Sequence, residues 1–184
     1  MNIQGITPMY DAENLAYVER RAGEPAWSAA SFPRYFEIET VNACNARCPM
    51  CTIDDWDRRD GLMDAALFKK IADEIAEYAD VVKRVALYRD GEPLLDKTLA
   101  AKVAMLKDMG VKKVGISTNA ELLTPSKSKD LLDAGIDEVL LSVDSLVPSV
   151  YEAVRVNCSF DTVMSNCLKF IELRDQKKSD CQVW

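Results

Sequence analysis

Apolar and polar residues alternate from Arg34 to Thr40 (RYFEIET), a period of two that predicts a half-buried strand; the pattern then gives way to a polar loop carrying cysteines. From Asp64 to Ala79 the spacing becomes helical, with Leu67, Ile71, Ile75 and Tyr78 marking the inward face and Asp64 placed to cap the N-terminus. The apolar run Val81–Tyr88 predicts a second strand ending at Asp90-Gly91-Glu92-Pro93, and Leu99, Val103, Leu106 and Met109 predict a helix closed by Gly110. The unit recurs twice. Lys113–Ser117 leads into a helix opened by Thr124 and Pro125 and closed by Gly135, and Glu138–Val143 leads into helical segments over Pro148–Arg174.

Four successive β-α units force parallel strands with right-handed crossovers, because a parallel neighbour can be reached only by a long return over one face. The expected fold class is α/β, a barrel or part of one. An eight-fold barrel typically needs about 250 residues, whereas this chain has 184 and stops at Cys181–Trp184, where a fifth strand is due. A truncated barrel is therefore expected, preceded over residues 1–33 by an extension with Pro8, Pro25, Pro33 and a helical patch at Ala12–Arg21.

The absence of histidine removes Ser-His-Asp and Cys-His catalysis, His-ligated zinc and His-ligated haem. A net charge of −7 opposes general binding to nucleic acid or anionic membranes. No stretch reaches the roughly 18 apolar residues of a membrane span, and Met1–Asn14 lacks the pattern of a secretory signal, so a cytoplasmic protein is expected. In that reducing setting six cysteines do not read as a disulfide framework, and the tight group Cys44, Cys48, Cys51 reads as metal binding or catalysis.

The unusual residues all follow strand ends: the cysteines after the first, Gly91-Glu92-Pro93 after the second, Thr118-Asn119 after the third, Ser142–Ser145 at the fourth. In a parallel sheet those ends share one rim, where ligands bind. Three thiols within eight residues suit an iron–sulfur centre. Structural zinc or a closed cluster would want a fourth ligand from Cys158, Cys167, Cys181 or a carboxylate. Free cysteines with incidental spacing and a redox thiol pair at Cys48-Pro49-Met50-Cys51 are the competing readings. Cys158 and Cys167 read as core thiols and Arg58 and Arg59 as a solvated loop, while Trp56 beside them reads equally as a cover for the metal centre or as packing.

The phrase Cys44-Asn45-Ala46-Arg47-Cys48-Pro49-Met50-Cys51 after a first strand, followed by Gly91-Glu92-Pro93, resembles the radical S-adenosylmethionine (SAM) superfamily over about Tyr35 to Arg174. The run from Ser142 and Asp144 to Tyr151 and Arg155 is similar to members carrying a SPASM or twitch domain. The resemblance implies a partial (β/α)6 barrel over 34–184, incomplete at its C-terminus. Cys44, Cys48 and Cys51 would ligate a [4Fe-4S] cluster whose fourth iron is chelated by SAM. It further implies Glu92 against the SAM ammonium, Gly91 beside the methionyl group, Met50 over adenine, and Arg155 at the carboxylate. Ser142 would lie near the ribose or carboxylate, with Thr118 and Asn119 supplying hydrogen bonds. Met50 stands where the family often has an aromatic residue, and Asp90 where it has a first glycine. The implied activity is reductive cleavage of SAM to a 5'-deoxyadenosyl radical that abstracts hydrogen from a small-molecule, peptide or carbohydrate substrate. A flavodoxin or ferredoxin would be the electron donor. The alternative is a non-catalytic metal-binding or scaffold fragment unable to cleave SAM.

Overall fold

The computed structural model describes residues 32–55, 57 and 61–184. Of the expected extension over residues 1–33, residues 1–31, and with them the Ala12–Arg21 patch, lie outside the described residues, as do Trp56, Arg58 and Arg59. The compact unit Arg34–Trp184 holds every element described here. Five strands, β1 (Tyr35–Glu37), β2 (Arg84–Ala86), β3 (Val114–Thr118), β4 (Glu138–Leu141) and β5 (Gln182–Val183), form one sheet in the order β1-β2-β3-β4-β5. Every neighbouring pair is parallel. Between them run α1 (Ala65–Ala76), α2 (Leu99–Asp108), α3 (Pro125–Asp133), α4 (Pro148–Val154) and α5 (Phe160–Gln176).

A sheet whose spatial order equals its sequence order never reverses direction, so right-handed crossovers lay successive helices on one face and curl the sheet toward a barrel. The helices accordingly pack in series, α1 on α2, α2 on α3 and α3 on α5. The sheet is open, a partial barrel. Register puts Phe36, Val85 and Val114 on one face, continued by Ile116 and Val139. The last four are at most 1 % exposed. Burying each such side chain contributes about 1.5–3 kcal/mol.

Local chemistry sets the helix ends. The Asp64 carboxylate accepts from Ala66 N and Leu67 N, Thr124 Oγ1 accepts from Lys127 N, and Gly110 and Gly135 take left-handed φ of 87° and 78°. Two expectations shift. The inward stripe of α1 is Phe68, Ala72 and Ile75, while Leu67 is 48 % exposed, because the helix is rotated by one residue from the pattern anchored on Leu67. The first strand ends at Glu37, since Thr40 and Val41 leave the sheet: Thr40 O accepts from Met63 N and Val41 bridges antiparallel to Leu62.

The opposite face is polar. Arg84 of β2 reaches across to Glu138 of β4 at 2.6 Å, with Gly115 of β3 between them. A Cβ on Gly115 would sit 3.1 Å from Glu138 Cβ, so the glycine leaves the gap through which the pair closes. Burial pushes the Glu138 carboxyl up, but Arg84 and Lys113 outweigh it and hold it below its usual range.

Asp96 and Lys102 form an ion pair at 2.6 Å with side chains 2 % and 7 % exposed, the Lys102 ammonium lying 5.2 Å from the Phe68 ring centre. Burial raises the Asp96 carboxyl, but Lys102 and Thr98 overcome this and its pKa is lowered. A lowered carboxylate pKa contributes stability at pH above the unfolded value, lost as pH falls through the folded one. Lys102→Ala leaves Asp96 buried and unpaired, and a loss of about 3–5 kcal/mol in chemical denaturation is expected. The wild type should lose this contribution only in strong acid.

Candidate functional site

The C-terminal ends of the parallel strands open into a cleft of about 680 Å³ including its mouth. All ten sequence-predicted positions line it: Cys44, Cys48, Met50, Cys51, Gly91, Glu92, Thr118, Asn119, Ser142 and Arg155. They come from the C-terminal end of β3 and from the segments that follow four different strands. Tyr88, Arg89, Asp90 and Ser117 line it as well. Of these only Asp90 was noted in the sequence, as standing where the family has a first glycine; Tyr88 and Arg89 lie just beyond β2, where the same strand-end rule reaches them.

The cysteine loop is pinned at its base. Asn42 N donates to Gly61 O at 3.2 Å and Asn42 Oδ1 accepts from Gly61 N at 2.6 Å. Within the loop, Cys51 N donates to Cys48 O at 2.9 Å, closing a turn with Pro49 at its second position, where the ring pre-sets φ. The Arg47 guanidinium gathers the carbonyls of Cys44 and Ala46 at 2.7 and 2.8 Å, and Arg47 N holds Val156 O at 2.8 Å. Cys44 and Cys48 are half-buried and Cys51 is exposed. Burial pushes the Cys44 thiol up, opposed by the Ala46 N–H, and the charges of Glu92, Cys48 and Cys51 add to the rise. Among the described residues no three potential ligands converge on a single-ion point. The trio thus surrounds a space without forming a ready mononuclear centre.

The Gly91-Glu92-Pro93 turn locks against this loop. Glu92 N donates to Ala43 O at 2.9 Å, and a Cβ on Gly91 would lie 2.1 Å from Val41 O and 2.9 Å from Ala43 O. The glycine is required by backbone-to-backbone packing. Glu92 is 3 % exposed, and its carboxylate accepts from Leu94 N (3.0 Å), Thr118 Oγ1 (2.7 Å) and Asn119 N (2.9 Å). All three donors are neutral, and among the described residues no cation lies within ion-pair distance. Burial dominates and raises the Glu92 pKa despite these bonds and the more distant charge of Lys127.

Thr118 is buried, its hydroxyl donating to Glu92 and accepting from Ala120 N at 3.0 Å. Asn119 Nδ2 bonds Asn45 Oδ1 at 2.9 Å, carrying the end of β3 onto the cysteine loop. Ala120 follows with φ 62°, uncommon for a residue with a Cβ, and Asn166 Nδ2 holds its carbonyl at 2.9 Å. The Ser142 and Ser117 hydroxyls lie 3.3 Å apart. Arg155 Nε pairs with Asp144 Oδ2 at 2.5 Å and its NH1 reaches Cys48 Sγ at 3.7 Å. Met50 is 61 % exposed at the mouth. Cys158 and Cys167 are buried thiols pushed up to about 12 and about 11, chiefly by burial.

Parallel strands thus bring a three-cysteine loop and a Gly-Glu-Pro turn together at one rim of a partial barrel. Residues 38–177 match the radical SAM superfamily, and the chain belongs to it. The tungsten-containing aldehyde ferredoxin oxidoreductase cofactor-modifying protein of Pyrococcus furiosus is 35% identical over 113 residues, 61% of this chain and 31% of that protein. A probable GTP 3',8-cyclase of Methanococcus maripaludis is 31% identical over 141 residues, 76% of this chain and 46% of its own. The crystal structure of BtrN in complex with AdoMet and 2-DOIA aligns with a TM-score of 0.55 at 28% identity, covering 60% of this chain and 45% of that one. The chain spans less than half the length of these relatives. Membership implies SAM and a [4Fe-4S] cluster as cofactors, and the donor set fits: soft thiols around a space, with a buried anion facing it.

Gly91→Ala drives a Cβ into two carbonyl oxygens that belong to backbone. A loss of roughly 1–3 kcal/mol is expected, together with reduced iron uptake on anaerobic reconstitution, read by thermal unfolding and iron assay. Full stability and full iron content in this variant would contradict the interlock.

Proposed function

We propose that this chain is the cluster- and SAM-binding core of a radical SAM enzyme. When bound, the cluster and SAM supply one-electron cleavage of SAM to methionine and a 5'-deoxyadenosyl radical, which takes a hydrogen atom from the substrate. Cys44, Cys48 and Cys51 hold three irons and leave one for SAM. Glu92 meets the SAM ammonium, the cation its neutral partners do not provide. Arg155 keeps N–H groups beyond its Asp144 pairing for the carboxylate, and Ser142 offers a hydroxyl at the fourth strand's end. Thr118, its hydroxyl committed to Glu92, aims that carboxylate; Asn119 joins it to the cysteine loop. Met50 lays a polarizable side chain over adenine. The observation that carries this reading is the meeting, in one cleft, of three thiols and a buried carboxylate with no cation at ion-pair distance among the described residues.

The protein's own task is to hold SAM in a fixed pose and keep water out, while the cofactors carry the difficult chemistry. The substrate class is a small molecule, peptide or carbohydrate, and the electron comes from a flavodoxin- or ferredoxin-type donor in the cytoplasm. Among the described residues no helix is long and apolar enough to cross a membrane.

Two outcomes are expected. Anaerobic reconstitution loads about four irons per chain, Cys48→Ala loses that iron, and the reduced wild type converts SAM to 5'-deoxyadenosine detectable by chromatography. Iron without the nucleoside would favour the scaffold alternative, and unchanged iron in Cys48→Ala would remove the assignment.

The second outcome concerns pH. An ammonium binds the ionised Glu92, and because burial has raised the pKa of this group, SAM affinity should climb as pH rises through its titration and then level off. Calorimetric titration of the cluster-loaded chain across the acidic to neutral range tests this. Glu92→Gln should bind more weakly, with that pH slope abolished. A slope that persists in the variant would assign the titration elsewhere.

A further inference from the structure

We propose that Asn119 and Arg155 are N–H···S donors to two of the three cysteines and, resting on the cluster reading above, that they raise the reduction potential of that cluster. The two side chains come from separate β-α units and reach different sulfurs. Asn119 Nδ2 lies 3.9 Å from Cys44 Sγ, and Arg155 NH1 lies 3.7 Å from Cys48 Sγ. Each is oriented from behind. Glu121 N donates to Asn119 Oδ1 at 3.0 Å, which fixes the amide's oxygen and turns its NH2 toward Asn45 and Cys44. Asp144 grips Arg155 Nε, leaving NH1 aimed at Cys48. Ala46 N adds a backbone donor to Cys44 Sγ at 3.4 Å.

Cys51 differs. It is exposed, and among the described residues no N–H reaches its sulfur. Among the described residues the trio is therefore inequivalent, with the Cys44 and Cys48 sulfurs reached by N–H donors and Cys51 exposed.

The electrostatic setting gives the donors something to offset. The cluster would sit in a chain of net charge −7, within reach of the buried Glu92 carboxylate, which already acts on Cys44. Adding an electron there is opposed. Hydrogen bonds to ligand sulfur stabilise the more negative, reduced form, and hydrogen bonding, net charge and exposure are the means by which a protein sets such potentials. Arg155 supplies a full positive charge as well as the N–H, so its removal should have the larger effect.

The test is a redox titration of the reconstituted chain in the absence of SAM, so that any contact of Arg155 with the SAM carboxylate plays no part. The reduced cluster is followed by electron paramagnetic resonance. Asn119→Ala and Arg155→Gln should each load iron like the wild type and show a midpoint potential shifted negative. The double variant should lie lower than either, and Arg155→Lys, keeping the charge and an N–H donor, should fall between wild type and Arg155→Gln. Equal midpoints in fully loaded wild type and variants overturn the assignment while leaving the cluster intact. Loss of iron in both the Arg155→Gln and Arg155→Lys proteins marks Arg155 as a structural brace and also overturns it. A wild type that takes up no iron defeats the underlying reading, a failure distinct from the other two.

Discussion

The close approach of the Gly-Glu-Pro turn to the cysteine loop is the contact on which the rest of the site depends. At Gly91 the backbone of one strand-end loop touches the carbonyls of another so closely that no side chain fits between them, and Glu92 N closes the contact onto Ala43 O. A parallel sheet alone fixes where strands end, but the loops beyond it are free to splay. This interlock removes that freedom. It sets the spacing between thiols and carboxylate with backbone atoms, the least adjustable part of the chain.

From there the arrangement extends along β3. The Glu92 carboxylate takes donors from its own turn and from Thr118 and Asn119, so one buried anion joins the ends of β2 and β3, and Asn119 returns the connection to the cysteine loop through Asn45. A buried carboxylate whose hydrogen-bond donors are all neutral, with only the more distant charge of Lys127 to favour ionisation, is poorly compensated, and its raised pKa is the sign of that. The stress is concentrated at the cleft floor, where a ligand cation would relieve it. Elsewhere comparable groups are paired within the protein, as with Asp96 and Lys102 or Glu138 and Arg84.

The β-α alternation was legible because strand and helix periods differ and because Gly110, Gly135, Asp64 and Thr124 punctuate the helices with unambiguous end chemistry. The rim residues were legible for a related reason: parallel strands bring every strand end to one side, so sequence order predicts spatial company. Rotation about a helix axis was not. Leu67 and Phe68 are both apolar neighbours, and only packing against the sheet decides that Phe68 turns inward. Nor could spacing reveal that Gly91 is needed against Val41 and Ala43, or that Arg155 reaches Cys48 across 107 positions of chain. Those contacts depend on how two loops lean, which no local pattern encodes.

Ala120 holds a left-handed backbone in which a methyl-bearing residue sits at some cost, yet it is fully buried and clamped by Asn166 and the Thr118 hydroxyl. Glycine would adopt this bend more readily in the fold, but it would also give the unfolded chain more shapes to sample. With alanine, the segment presenting Asn119 is set before any ligand arrives. Little of the affinity for an incoming molecule is then spent on ordering this bend, the thermodynamic advantage of preorganisation.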